Sequence, residues 1–213
     1  MRLTLEAIGI GEGPGAPLPQ VSAEATTETP GIAAVETEGA PTLASLIAGG
    51  RMHPETGRVL IDGEADADRI RASFALVDTP TVAEPFADLT VLTVVREELV
   101  LADRHGSKAA ARTFLETIGL AEHEETRIKA LPTAARVRLL SELAILRPGV
   151  EGLVLTSPER HGGDTVEWFR VVQDLSERGF TVLVVTGVAA ATHLRSLVPA
   201  GVESPQTTES RES

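Results

Sequence analysis

The stretch from Ile145 to Pro158, ILRPGVEGLVLTSP, constrains the fold more than any other part of the chain. It reads as a helix end, a short loop and a buried strand, Leu153-Val154-Leu155. A second run of the same kind follows at Val182–Thr186, VLVVT. Short, apolar, Val-rich strands are covered on both faces, as in a parallel sheet. Their alternation with amphipathic helices predicts an α/β domain. Asp164 is placed to cap a helix carrying Val166, Phe169, Val171, Val172 and Leu175, and Gly179 to end it. Trp168 lies close to that apolar face and is expected to pack there. With 213 residues, 42% of them hydrophobic, the chain can bury the core of one such domain with a small insert.

Other segments take positions around these strands in a definite order. Pro17 to Ser22, PLPQVS, stands near the start. Gly39-Ala40-Pro41-Thr42-Leu43 precedes an apolar helix that ends in Ile47-Ala48-Gly49-Gly50, and GRVLIDG follows at Gly57–Gly63. Next come Phe74–Thr79 (FALVDT), Leu89-Thr90-Val91 with Arg96-Glu97-Glu98-Leu99, and Leu131–Arg136 (LPTAAR). The strand Leu153–Leu155 leads into Thr156-Ser157-Pro158, and Val182 to Gly187, VLVVTG, closes the set.

This ordered set resembles the ATP-binding cassette (ABC) ATPases over about three quarters of the chain. The resemblance implies a P-loop NTPase-like fold, a mostly parallel sheet core with helices on both faces and a small helical subdomain. It puts one domain over residues 1–200, the helical subdomain over 90–146, and a polar, disordered tail over 201–213. It also implies where the chemistry would lie. Gly39 to Leu43 falls on the family's "GKSTL", Thr79 on its magnesium-contacting Gln, and Pro132 to Ala135 on the signature "SGGQ". Thr156 and Ser157 stand where the family has its metal-holding Asp and water-polarising Glu. Gly187 stands on the switch His.

Each of those replacements acts against nucleotide chemistry. A phosphate loop needs glycines, so that successive N–H groups point at the phosphates, and one Lys charge. Here only Gly39 remains, Ala40 carries no charge, and Pro41 has no N–H although it suits a first helical turn. Glu36 and Glu38 would set negative charge beside a polyanion, each such contact near 4 Å costing about 1 kcal/mol in water and about 4 kcal/mol at an effective dielectric near 20. Thr42 keeps a hydroxyl, and the helix N-terminus keeps its partial positive charge. Gly39 and Thr42 are therefore vestigial phosphate-loop positions. No catalytic residue, no metal site and no cofactor are expected; weak, metal-independent ATP binding stays open. The expectation is a pseudo-ATPase.

Composition narrows the partners. A net charge of −12, with no basic stripe, argues against nucleic acid and anionic membrane surfaces. No apolar run is long enough for direct membrane insertion, and the N-terminus does not read as a signal peptide. The absence of cysteine fits a cytoplasmic location, and 17 Arg against 2 Lys hints at a GC-rich bacterial genome. The first reading is an inactive ABC-type subunit that binds a membrane permease or a competent ATPase, peripheral at the inner face of the membrane, with a dimer as one arrangement. The alternatives are a divergent but functional ATP-binding transporter component and a stand-alone soluble interaction protein. An exposed patch of Val91, Leu92, Val94 and Val95 would favour permease docking; their burial would favour the stand-alone protein.

Several local expectations complete the reading. Met1 to Thr29 is expected to hold two short edge strands. Ser157, His161 and Asp164 crowd into one loop without a G-x-S-x-G elbow, which argues against a hydrolytic triad. His53, His105, His123, His161 and His193 show no paired ligand spacing. Glu122, Glu124 and Glu125 read as a solvated helix start. Arg136 and Arg138 read as surface salt-bridge partners.

Overall fold

The computed structural model describes residues 1–36 and 39–198. The expected tail at 201–213 lies outside them. The central runs form a four-stranded parallel sheet from β3 (Gly31–Ala34), β5 (Phe74–Val77), β6 (Gly152–Thr156) and β7 (Thr181–Thr186), in the order β3-β7-β6-β5. Every residue of β6 and β7 is buried. This accounts for their unbroken apolar character, because both faces of the sheet are covered.

On one face pack α1 (Ala40–Ala48), α2 (Ala67–Ser73) and a second sheet, whose inner residues Leu3, Leu5, Ile8, Leu18 and Ile61 share a core with Val154, Leu183 and Val185. On the other face lie α5 (Thr133–Ala144), α6 (Thr165–Glu177) and α7 (Val188–Leu197), packed on Leu153, Leu155, Val182 and Val184. The alternation of strand side chains between the two cores is the period-2 geometry of a pleated strand. Trp168 is fully buried against Phe169, edge to face with centroids 6.0 Å apart, as its place beside the apolar stripe predicts. Asp164 caps α6 by accepting the Val166 N–H at 2.7 Å. Gly179, at φ 91°, turns the chain out of that helix.

The second sheet is antiparallel, in the order β2-β1-β4, from β1 (Arg2–Ile10), β2 (Leu18–Thr26) and β4 (Thr56–Ile61). The N-terminal expectation is corrected here. The two strands have nine residues each, and β1 is the middle strand because β4 pairs with its far side. Gly57 makes that pairing fit. Its φ is 72°, and a Cβ there would lie 2.1 Å from the Glu6 carbonyl oxygen.

A third core fills a helical unit built from α3 (Val91–Leu101), α4 (Lys108–Thr117) and the outer side of α5. Thr90 and Ser107 cap α3 and α4 through their hydroxyls. Val91, Leu92, Val94 and Val95 are all buried in this core. They form no exposed patch. Since α5 offers Val137 and Leu140 to one core and Leu139 and Leu143 to another, it is the joint between sheet and helical unit.

Replacing Trp168 by Ala is expected to cost about 3–5 kcal/mol, read as a lower midpoint in denaturant unfolding with an unchanged slope.

Candidate functional site

In open α/β sheets, ligands bind at the carboxyl ends of the strands. Here the ends of β5 and β6 are adjacent, with Val77 opposite Leu155. Both strands leave the sheet through a non-glycine residue in the left-handed region, Asp78 at φ 54° and Ser157 at φ 45°. That conformation costs roughly 1–2 kcal/mol for an ordinary L-residue, less for Asp.

Thr156, at the position where the resemblance puts a metal-holding Asp, lies at the centre of a buried hydroxyl chain. Its Oγ1 donates to Ser45 Oγ at 2.7 Å and lies 2.8 Å from Thr79 Oγ1. With its one proton given to Ser45, Thr156 accepts from Thr79. All three residues are fully buried. Neutral groups satisfy one another here, and none is a carboxylate. Magnesium binds through carboxylate and phosphate oxygens in near-octahedral geometry, so this donor set does not fit it.

The phosphate-loop positions are no better suited. Gly39 takes the left-handed conformation before α1 at φ 79°, without a side-chain cap. Ala40 is buried, and Pro41 occupies the first turn. Thr42 is half-buried behind them. Glu36 is exposed nearby in sequence, and Glu38 lies outside the described residues. Past the end of β7, Glu159 Oε1 accepts the Gly187 N–H at 3.0 Å.

The charge at the strand ends is gathered around Asp78. Arg136 grips its carboxylate with two parallel bonds, Nε to Oδ2 at 2.8 Å and Nη2 to Oδ1 at 2.6 Å. Arg160 Nη2 is 3.1 Å from Oδ1, and His161 Nε2 is 2.9 Å from Oδ2. An ionised carboxylate only accepts, so His161 carries its proton on Nε2. Burial alone would push the Asp78 carboxyl up. The hydrogen bonds from Arg136 and His161 and the charges of Arg136 and Arg160 outweigh it, and hold the carboxyl well below the usual range. Arg136 also donates to the Ile128 carbonyl at 3.2 Å, tying the helical unit to the sheet. Glu84 completes the group at 3.1 Å from Arg160 and 3.6 Å from Arg136. Asp78, Glu84 and His161 stand close enough together for a cation. Two guanidiniums already balance the two carboxylates, so the net charge that would draw a cation is absent.

These contacts decide the fate of each expected residue. Arg136 is buried, which corrects its reading as a surface partner. Arg138 does sit at the surface, beside Glu142 and Asp174. Thr133, at the start of the signature-like helix, donates to the Gly162 carbonyl at 2.8 Å, so that helix start packs on the segment after β6. Ser157, His161 and Asp164 do not assemble as a triad, because His161 turns to Asp78 and Asp164 caps α6. Glu124 is corrected from a solvated residue to a partner of Arg112, which grips it at 2.7 and 2.8 Å. Asp78, Glu84 and Arg160 were missed as a group. The only sequence signal was an acidic residue at a strand end and an Arg-His pair after the next strand.

Solved structures of ABC transporter ATP-binding cassettes share the fold of this chain. A nucleotide-free cassette from an ABC transporter superposes with a TM-score of 0.60 at 16% identity, over 91% of this chain and 85% of that one. An ADP-conformation cassette gives 0.59 at 18%, over 88% and 82%. A cassette dimer bound to ADP and Pi gives 0.58 at 18%, over 89% and 90%. No protein-family model matches the chain, and no curated protein matches it in sequence. The chain has the ABC ATPase-domain fold: α/β, P-loop NTPase-like, with a parallel sheet. Among the described residues no helix is long and apolar enough to cross a membrane.

Asp78→Asn is expected to cost about 3–5 kcal/mol, because it leaves the buried Arg136 charge without its counter-ion. The same pairing has an acid signature. A depressed folded pKa contributes stability above the unfolded value near 3.9 and loses it as pH falls through the folded value. Wild type should therefore lose stability below about pH 4 more steeply than the Asn variant, as read by urea midpoints across that range.

Proposed function

We propose that this protein is a cassette-fold binding subunit that does not hydrolyse ATP and acts by docking another protein. The observation that carries this reading is the Thr79–Thr156–Ser45 hydroxyl chain, buried where the resemblance puts magnesium and its carboxylate. Nothing in it develops or holds the charge that phosphoryl transfer requires. The phosphate-loop positions Gly39 and Thr42, with Ala40 and Pro41 between them, support at most weak binding without metal.

By resemblance, the partner is a membrane permease subunit or a competent ATPase, with the protein cytoplasmic and peripheral at the membrane. The loop from Thr79 to Asp88 is the surface offered for docking. It exposes Phe86 at 81% and Val82 at 49%, beside a mixed groove of about 290 Å³ floored by Leu76, Val77, Leu140 and Leu143 and rimmed by the charged Glu84, Glu98 and Arg147. A second reading, a stand-alone soluble interaction protein, gains from the burial of Val91, Leu92, Val94 and Val95, which removes the wider apolar face from α3.

Calorimetric titration with ATP to millimolar concentration, with and without magnesium, tests the inactive site against an active cassette as control. No magnesium-dependent saturation is expected. Saturable magnesium-dependent binding in the micromolar range would overturn the reading.

A further inference from the structure

Four atoms around Asp78 form a closed ring of alternating charge. Asp78 Oδ1 lies 2.6 Å from Arg136 Nη2 and 3.1 Å from Arg160 Nη2. Glu84 Oε1 faces the same two nitrogens at 3.6 and 3.1 Å. Each carboxylate oxygen sits between two guanidinium nitrogens, and each nitrogen between two oxygens. Three corners are fixed. Asp78 and Arg136 are buried, and Arg160 is held from behind by its own Nη1 bond to the Thr156 carbonyl at 2.6 Å. The fourth corner is different, since the Glu84 side chain is 35% exposed and no other bond from the described residues holds it.

Glu84 is also the only ionised residue on the stretch that carries Val82 and Phe86. The rest of that stretch is tied by short turns, with the Val82 and Ala83 N–H groups donating to the Thr79 carbonyl at 3.1 and 2.9 Å. At its far end, the Ala87 carbonyl accepts from Lys129 N–H at 3.0 Å, and Asp88 pairs with Lys129 at the surface. Between these anchors only Glu84 ties the loop by a charge to the strand ends.

We propose that the ring is a latch, with Glu84 as its movable corner, which holds the loop from Pro80 to Ala87 against the ends of β5 and β6 and so sets how Val82 and Phe86 are presented. Release moves one carboxylate into water, where it is readily solvated, and leaves Asp78 with Arg136, Arg160 and His161. The fold survives opening, and the loop alone changes state. This inference does not depend on whether the site binds nucleotide.

Amide hydrogen exchange of the intact protein, resolved by peptide, tests it with Glu84→Gln. The Asp88→Asn variant serves as control at the loop's other end. Exchange over residues 79–90 is expected to rise about tenfold in Glu84→Gln, as for a sub-global opening. Wild type in about 1 M salt, where screening reaches ~3 Å, should move the same way. Peptides from β5, β6 and α5 should keep their wild-type rates, as should the loop in Asp88→Asn. Unchanged loop exchange in Glu84→Gln would overturn the proposal. So would a rise spread equally over β5 and β6, which signals general destabilisation, or an equal rise in Asp88→Asn.

Discussion

A carboxylate taken out of water has to be either protonated or paired, and at Asp78 the structure pairs it on every side. Arg136 approaches from α5, Arg160 and His161 from the segment after β6, and Glu84 closes the group from the loop after β5. Such an arrangement does not repay its desolvation generously; its value lies in specifying geometry, since a buried charge with one partner removed is costly. Here the specified geometry is that of the whole strand-end region. Arg136 reaches both Asp78 and the Ile128 carbonyl, so the sheet and the helical unit share one guanidinium. The left-handed turn at Asp78 is affordable because it aims the carboxylate at these donors.

The same region supports the proposed separation of fold from chemistry. The fold places the ends of β5, β6 and β7 side by side, where an open α/β sheet takes a ligand. A working phosphate site fills that place with backbone N–H groups, a cation and carboxylates around a metal. This chain fills it largely with internal contacts: three hydroxyls bonded in series, a Glu159 carboxylate with one oxygen on the Gly187 N–H and the other buried without a partner among the described residues, and an ion group of near-zero net charge. Polar groups that satisfy one another have little to gain from a ligand, because binding would first have to break those bonds. Sharing a fold with ATP-binding cassettes does not by itself carry their function.

What the sequence disclosed follows from how local each signal is. The strands β6 and β7 and the helix α6 were legible because apolar runs, a capping Asp and a terminal Gly act within a few residues of one another. Ala40, Thr156 and Gly187 are set against the family's motif positions by the order of the segments alone. The Asp78 group was not legible, since Arg136 and His161 stand 58 and 83 residues from Asp78 and meet it only through tertiary packing. Arg136 looked like any helical surface Arg for the same reason. The pairing of β1 on both sides was hidden too, because Ala7 sits at φ 46° and the ladder to β4 shifts register between Glu6 and Gly9, which breaks simple alternation.

The apolar pattern of α3 raises a different point, about competition for the same side chains. A helical unit set beside the sheet must bury a core of its own, and it does so with Val91, Val94, Val95 and Leu99 against Leu115, Ile128, Leu139 and Leu143. Residues spent on that core cannot also form a docking face. On this side the large apolar groups left exposed are Val100 and Leu101 at the last turn of α3 and, on the loop after β5, Val82 and Phe86. For the docking proposed above, a surface made of one aromatic and one aliphatic side chain over a small groove would bind through an anchor, not through area. Interface energy commonly concentrates in a few such residues near the centre of the contact. The proposed docking would then depend less on how much surface is exposed than on how firmly the loop holds Phe86 in place, which brings that face back to the ion group at its base.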